Sequence, residues 1–367
     1  SGAADRPAVT YNANDNEYLV AWTGWDESFA STDDETFVQR ITAAGAEIGY
    51  DDLRISTMGP NGNNNYNAYG VSVTHNTFNN HYAVVWHSRN DYPGLHPHDY
   101  EIYMQRLSNL LLSIGTDDQR ISNIGPDGDS TNAAAFPSII YNPDEHEYLV
   151  AWDAYEFKDV NLTTAPREIY VQRIHASNGS ELGVNDRRIS DMGSDDASHE
   201  YYANGAALTY NTVDNKYMVA WRGYDDIPSL VKWESEIFGQ HLDGLTGAEV
   251  DSNDIRLTYA GPAGNILYDA DNSAIAYNSN ADEYLVVWEA DDSPNSGYFA
   301  DGDTEIYGRR IDATTGGWIG EKVCISDVLG NVDSHGESFD PAVVFNPAEN
   351  EYLVAWSGRG YYFNVLE

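Results

Sequence analysis

The chain has 367 residues, with 59 Asp or Glu against 19 Lys or Arg, and so a formal charge of −40. That balance excludes a nucleic-acid partner and an anionic membrane surface, both of which need a cationic face. With 41% hydrophobic and 13% aromatic residues the chain is not disordered, and no run of eighteen apolar residues is present to cross a bilayer, so no membrane insertion is expected.

An Asp-rich surface with four lysines stays soluble by self-repulsion and suits salty or calcium-containing surroundings, which points to a secreted or cell-surface location. No basic-then-apolar leader follows Ser1. A leader is therefore expected to have been removed, or the chain to begin inside a longer protein. The single cysteine, Cys324, has no intrachain partner and reads as a small buried residue in a strand.

In chain order, each predicted unit opens with a strand that ends in Tyr-Asn or a near match: Ala8 to Asn12, Val71 to Asn76, Ser138 to Asn142, Ala206 to Asn211, Ala274 to Asn278 and Ala342 to Asn346. A turn rich in Asn, Asp and Pro follows, the chemistry of a hairpin. The second strand is Tyr18-Leu-Val-Ala-Trp22 and its five copies, whose tryptophans lie 64, 66, 69, 67 and 68 residues apart. After a variable loop comes the third strand, Glu35 to Ile41, and its counterparts from Glu101, Glu168, Glu236 and Glu305. The fourth strand ends in Arg54-Ile-Ser56 or its equivalents, down to Cys324-Ile-Ser326.

Repetition at this period signals a repeat architecture. Four antiparallel strands per unit, with no helical period, fit an all-β propeller of four-stranded blades. The units span roughly 7–58, 69–124, 136–192, 205–260, 272–328 and 341–367. They form six blades with the last incomplete, seven being the alternative, within a single domain. The second strand is apolar on both faces, as strands sandwiched between stacked blades must be. The repeated Gln and Arg of the third strand (Gln39 and Arg40, Gln105 and Arg106) fall in or near blade interfaces, with the Glu that starts the same strand a candidate partner. An incomplete blade leaves strand edges through which the chain can self-associate.

The run Val286-Val-Trp-Glu-Ala-Asp291, followed by Glu305-Ile-Tyr-Gly-Arg-Arg-Ile-Asp312, then Gly317-Trp-Ile-Gly320 with Val323-Cys-Ile-Ser326, resembles a repeat of large secreted bacterial proteins. Those repeats combine Val-Val-Trp, Ile-Tyr-x-Gln-Arg and Ile-Ser strands. The resemblance covers essentially the whole chain. It implies a propeller, an extracellular and multidomain setting, and no transferable catalytic motif.

Function is expected on the face that carries the loops joining strands two to three and four to one, because those loops vary while the hairpin turns do not. Their aromatics, among them Trp25, Tyr224 and Trp233, suit stacking on sugar rings. Residues preceding the first strands should ring a central mouth: Tyr66, Tyr201, Tyr202, Tyr268, Asp269 and Asp271 make the most polar and aromatic part of it. Together these residues are the candidate ligand site, with a carbohydrate or an extracellular protein as partner. For calcium, Asp291, Asp292, Asp301 and Asp303 supply hard oxygens within one loop. His96-Pro-His98-Asp99 with His87 is a weaker transition-metal pattern. No catalytic motif is present, so a non-catalytic binding or adhesion module is the leading expectation. The alternatives are a lyase or glycoside hydrolase at the channel mouth, with His199, Tyr201, Tyr202 and Arg222 as a loose constellation, and a self-assembling surface protein.

Overall fold

The computed structural model describes residues 4–25, 33–89, 99–126, 132–155, 167–193, 201–225, 230, 234–261, 268–290, 304–326 and 336–360. Five four-stranded antiparallel sheets and one two-stranded sheet follow one another along the chain. Sheet 1 is β1 (Ala4–Asn12), β2 (Glu17–Gly24), β3 (Glu35–Thr42) and β4 (Glu47–Arg54). Sheet 2 is β5 (Tyr69–Asn76), β6 (His81–Ser88), β7 (Glu101–Ser108) and β8 (Ser113–Arg120). Sheet 3 is β9 (Ala133–Asn142), β10 (Glu147–Tyr155), β11 (Arg167–His175) and β12 (Glu181–Arg188). Sheet 4 is β13 (Tyr202–Asn211), β14 (Lys216–Tyr224), β15 (Glu236–Asp243) and β16 (Glu249–Arg256). Sheet 5 is β17 (Ala270–Asn278), β18 (Glu283–Ala290), β19 (Glu305–Asp312) and β20 (Trp318–Cys324). Sheet 6 holds β21 (Gly336–Asn346) and β22 (Glu351–Gly360); the expected third strand beyond Gly360 lies outside the described residues. Among the described residues no helix is long and apolar enough to cross a membrane.

The sheets fall into two compact units, residues 1–189 and 190–367. In the first unit β5 packs across β1 to β3, and β9 across β5 to β7; in the second, β17 packs across β13 to β15, and β21 across β17 to β19. Sheets 2, 3, 5 and 6 thus each lay their first strand on the face of the preceding sheet of the same unit. This stacking buries second strands on both sides, and Trp86, Trp152, Trp221 and Trp288 are at most 1% exposed. A small residue begins each contact: Ala68, Ala134, Ala270 and Ser338 are fully buried, and their amides donate to Asp34, Tyr100, Ser235 and Thr304 carbonyls.

The repeated polar residues are scaffold. Asn12 and Asn76 each accept two backbone N–H groups in the hairpin turn and donate to Tyr82 and Tyr148 of the next sheet. Gln39 donates to the Arg40 and Ile48 carbonyls and accepts from the Asp52 amide, closing a wide bulge in β4; Gln172 and Gln240 do the same in sheets 3 and 4.

Two expectations need correcting. The glutamate that opens the third strand does not pair with that strand's arginine. Glu35, Glu101, Glu168 and Glu236 accept from Arg54, Arg120, Arg188 and Arg256 of the fourth strand, whereas Arg40 and Arg173 grip Glu17 and Glu147 at the start of the second. Cys324 is exposed rather than buried, because it occupies the outer-strand position of those fourth-strand arginines. Its Sγ lies 2.9 Å from the Ser326 carbonyl.

Candidate functional site

Every first strand is longer than its apolar core, for one reason. A bulge sets two residues of the first strand against the tryptophan of the second, and the strand then resumes pairing. The first bulge residue has positive φ in all six sheets: Arg6, Gly70, Phe136, Gly205, Asn272 and Asp340. Bulges re-aim side chains and gather beside functional sites. Here each lies at the end of its sheet where the second strand finishes. Opposite them, the residue after the tryptophan differs in every sheet: Thr23, His87, Asp153, Arg222, Glu289 and Ser357. The scaffold therefore presents a constant backbone device with changing chemistry.

In the second unit this device assembles a polar, aromatic cluster. The Arg222 Nη1 lies 2.9 Å from Asp271 Oδ1, and its Nη2 donates to the Tyr224 hydroxyl at 2.6 Å. The rings of Tyr202 and Tyr224 stand 4.5 Å apart at 51°, with the guanidinium 5.8 and 5.2 Å from their centroids. Asp271 and Glu289 are direct cross-strand partners, which puts both carboxylates on one face of sheet 5. Glu289 accepts from the Asn272 side chain at 2.8 Å and from the Asp340 amide at 3.0 Å.

Burial dominates the electrostatics. It pushes Asp271 up to about 6, with Arg222 pulling the other way and Asp269 adding to the rise. It pushes Glu289 up to about 7 against the Asp340 amide, while Asp271 and Asp340 raise it further. Burial also holds the Tyr202 hydroxyl above its ordinary range, although Arg222 opposes this. Burial thus favours the neutral form of both acids, while Arg222 draws Asp271 back toward its ionised form.

The structure thus brings Tyr202, Tyr224 and Asp271 together, and Tyr202 with Arg222. Other expected residues serve the scaffold. Tyr66, Tyr201 and Tyr268 lay a ring face on the backbone of Gly59, Gly193 and Gly261, where no side chain would fit. Asp269 is raised by burial and accepts the Ser235 amide at 2.9 Å, as Asn67 accepts that of Asp34. Trp25 sits half-buried just past β2, outside the cluster. Trp233, His199, the His96 to His98 pattern and the metal candidates Asp291, Asp292, Asp301 and Asp303 lie outside the described residues. Among the described residues no group of three metal-ligating side chains is gathered. His87 belongs to β6 and is buried.

Sequence reasoning missed Glu289, Asn272 and the role of the bulge. The available signal was the varying residue that follows each tryptophan inside an otherwise uniform strand.

No protein-family model and no curated protein matches the chain. Solved structures do. The chain is similar to a Hadza microbial sialidase at 11% identity and a TM-score of 0.50, over 94% of this chain and 61% of that one. It also matches an α-L-arabinofuranosidase from Fusarium graminearum (12% identity, 78% of this chain and 74% of that chain, TM-score 0.48). A third match is an N-acetylgalactosamine deacetylase from F. plautii (12% identity, 78% and 79%, TM-score 0.47). At such identity the sialidase likeness concerns the fold.

Proposed function

We propose that the six sheets are blades of a secreted β-propeller and that the chain is a carbohydrate-binding module, with a saccharide site at Tyr202, Arg222, Tyr224 and Asp271. The observation that carries this reading is the packing of a partly exposed Tyr202 ring and a buried Tyr224 ring on a mostly buried Arg222–Asp271 pair at the variable end of the second unit. Aromatic planes take the C–H face of a sugar, and a fixed guanidinium and carboxylate read its hydroxyl groups. A site already holding an ionised carboxylate favours a neutral glycan over an anionic one.

A glycan array followed by calorimetry tests the proposal. Wild-type protein should bind neutral oligosaccharides, and Tyr202→Ala should weaken that binding at least about tenfold, since stacking residues supply a large share of such affinity. Unchanged binding by Y202A, with an intact far-UV spectrum, rejects this site.

The Asp271–Glu289 pair favours a second reading, glycoside hydrolysis, in which a protonated Glu289 donates to the leaving oxygen and Asp271 acts as base or nucleophile. Release of reducing ends that disappears in Glu289→Gln while binding persists would establish it over the non-catalytic reading. Calcium on the acidic loop of Asp291, Asp292, Asp301 and Asp303 belongs to the same extracellular proposal. Chelator should then lower the melting temperature by several degrees, and calcium should restore it.

A further inference from the structure

The same bulge positions carry an opposite chemistry in the first unit. Phe136 occupies the positive-φ position of sheet 3 at φ 52°, and Arg6 that of sheet 1 at φ 49°. The other four sheets place Gly, Asn or Asp there, residues that tolerate this conformation, whereas a bulky ring is disfavoured. Phe136 nonetheless leaves 39% of its surface open to solvent. A costly conformation that leaves the ring partly open to solvent points to a requirement beyond folding.

The surroundings are built to hold that ring. Gly70, the bulge residue of sheet 2, leaves room for the His87 ring that underlies Phe136: an added Cβ would stand 3.0 Å from that ring. His87 lies beneath, its centroid 5.1 Å from that of Phe136, and its Nδ1 accepts the Phe136 amide at 3.2 Å. Burial, then Arg6 and Arg167, push His87 down to about 3, so it is neutral with its proton on Nε2. Two guanidiniums flank the ring, Arg6 at 5.4 Å and Arg167 at 6.0 Å from its centroid. Neither arginine has a counterpart at the same position in another sheet. Arg167 Nε is set by the fully buried Asp153 at 3.0 Å and its guanidinium lies 5.0 Å from the Tyr155 ring.

We propose that Phe136, Arg6 and Arg167 form a binding platform for a carboxylate-bearing sugar ring, with the C–H face on Phe136 and the carboxylate between the guanidiniums. Arginine matches a carboxylate fork in two-point geometry. The overall charge of −40 opposes an anionic ligand. At physiological salt, however, charges are screened beyond about 8 Å, so the nearby arginines dominate over distant carboxylates. This platform rests on no part of the reading made for the second unit.

Calorimetry on the whole chain at about 0.15 M salt tests it, with trigalacturonate, neutral galactotriose and sodium sulfate as probes. The expected result is binding of trigalacturonate at least about tenfold tighter than of galactotriose or sulfate. Phe136→Gly is the discriminating variant, because glycine fits the left-handed backbone. Glycine relieves the backbone strain but removes the ring's packing, so the variant should still unfold cooperatively while its trigalacturonate binding falls at least about tenfold and neutral-glycan binding in the second unit is unchanged, which general destabilisation would not give. Arg6→Gln with Arg167→Gln should lose the preference for the charged ligand. Repeating the titrations in a Tyr202→Ala background removes neutral-glycan binding by the second unit, so the comparison of trigalacturonate with galactotriose reads this platform alone. Equal affinity for galactotriose, equal affinity for sulfate, or full binding by F136G overturns the proposal.

Discussion

Asn76 illustrates how much one side chain does in each repeat. Its Oδ1 accepts the Phe78 and Asn79 amides at 3.0 and 3.2 Å, and its Nδ2 reaches the buried Tyr148 hydroxyl at 3.3 Å. At about 1 kcal/mol per net hydrogen bond, Asn76→Ala should destabilise the protein by about 2–3 kcal/mol. Asn76→Asp keeps the turn acceptors and should recover most of the loss, as read from denaturant midpoints. The Asn-rich turn was legible in the sequence because local chemistry decides it. The partners of the arginines were not. Glu35 and Arg40 lie five residues apart on one extended strand, roughly 17 Å, so they cannot meet. What joins Arg40 to Glu17 is the register of β3 on β2, where Arg40 faces Leu19 and reaches diagonally. Register is a tertiary fact. Sheet 4 exchanges both partners, Lys216 for the glutamate and His241 for the arginine, whereas sheet 2 opens its second strand with His81, keeps Arg106 and turns it to the Ala176 and Ser177 carbonyls.

At the scale of the element, strand order and hairpins follow from the repeated motif, while strand ends do not. The apolar run of each first strand stops at the bulge, and the residues beyond it look like loop. Only backbone geometry shows that pairing resumes from Asp5 to Thr23 and from Asp271 to Glu289. A Gly, Asn or Asp at the bulge was a readable signal in four sheets, but Arg6 and Phe136 broke the pattern. The two glycines at this position separate backbone cost from packing cost. Gly205, at φ 69°, has open space where a Cβ would go, so Gly205→Ala should cost only the conformational penalty, about 1 kcal/mol. Gly70, at φ 61°, would press a Cβ on the His87 ring, so Gly70→Ala should cost more than Gly205→Ala by about 1–2 kcal/mol. Equal losses in chemical denaturation would show that His87 yields freely. The candidate site was half legible for the same reason: Tyr202 and Asp271 precede the apolar run, where a ring of polar residues was expected, but Glu289, expected at the start of the variable loop, instead continues the second strand and pairs with Asp271.

For the whole molecule, the −40 charge and the buried acids act in the same direction with pH. Asp254 is pushed up to about 7 by burial, with the Asp191 amide opposing and Asp225 adding, and Glu289 likewise rises to about 7. Unfolded, such groups titrate near 4. The folded state therefore binds more protons between those values, and each acid's contribution to stability is fully present below about pH 4, then lost as pH rises through about 7. Lowering the pH from 8 to 5.5 should raise the melting temperature. The double variant Asp254→Asn, Glu289→Gln should lessen that dependence without abolishing it, since its neutral amides exchange no protons while Glu35 and Glu101, also raised to about 7 by burial, remain. Salt discriminates this cause from general repulsion. Screening weakens the self-repulsion of a polyanion, so added salt should raise the melting temperature at pH 8 in both proteins. The desolvation cost of a buried carboxylate is hardly screened, so the difference in pH slope between wild type and double variant should survive high salt. A slope that vanishes in salt for both proteins would place the pH dependence on the surface and not on Asp254 and Glu289.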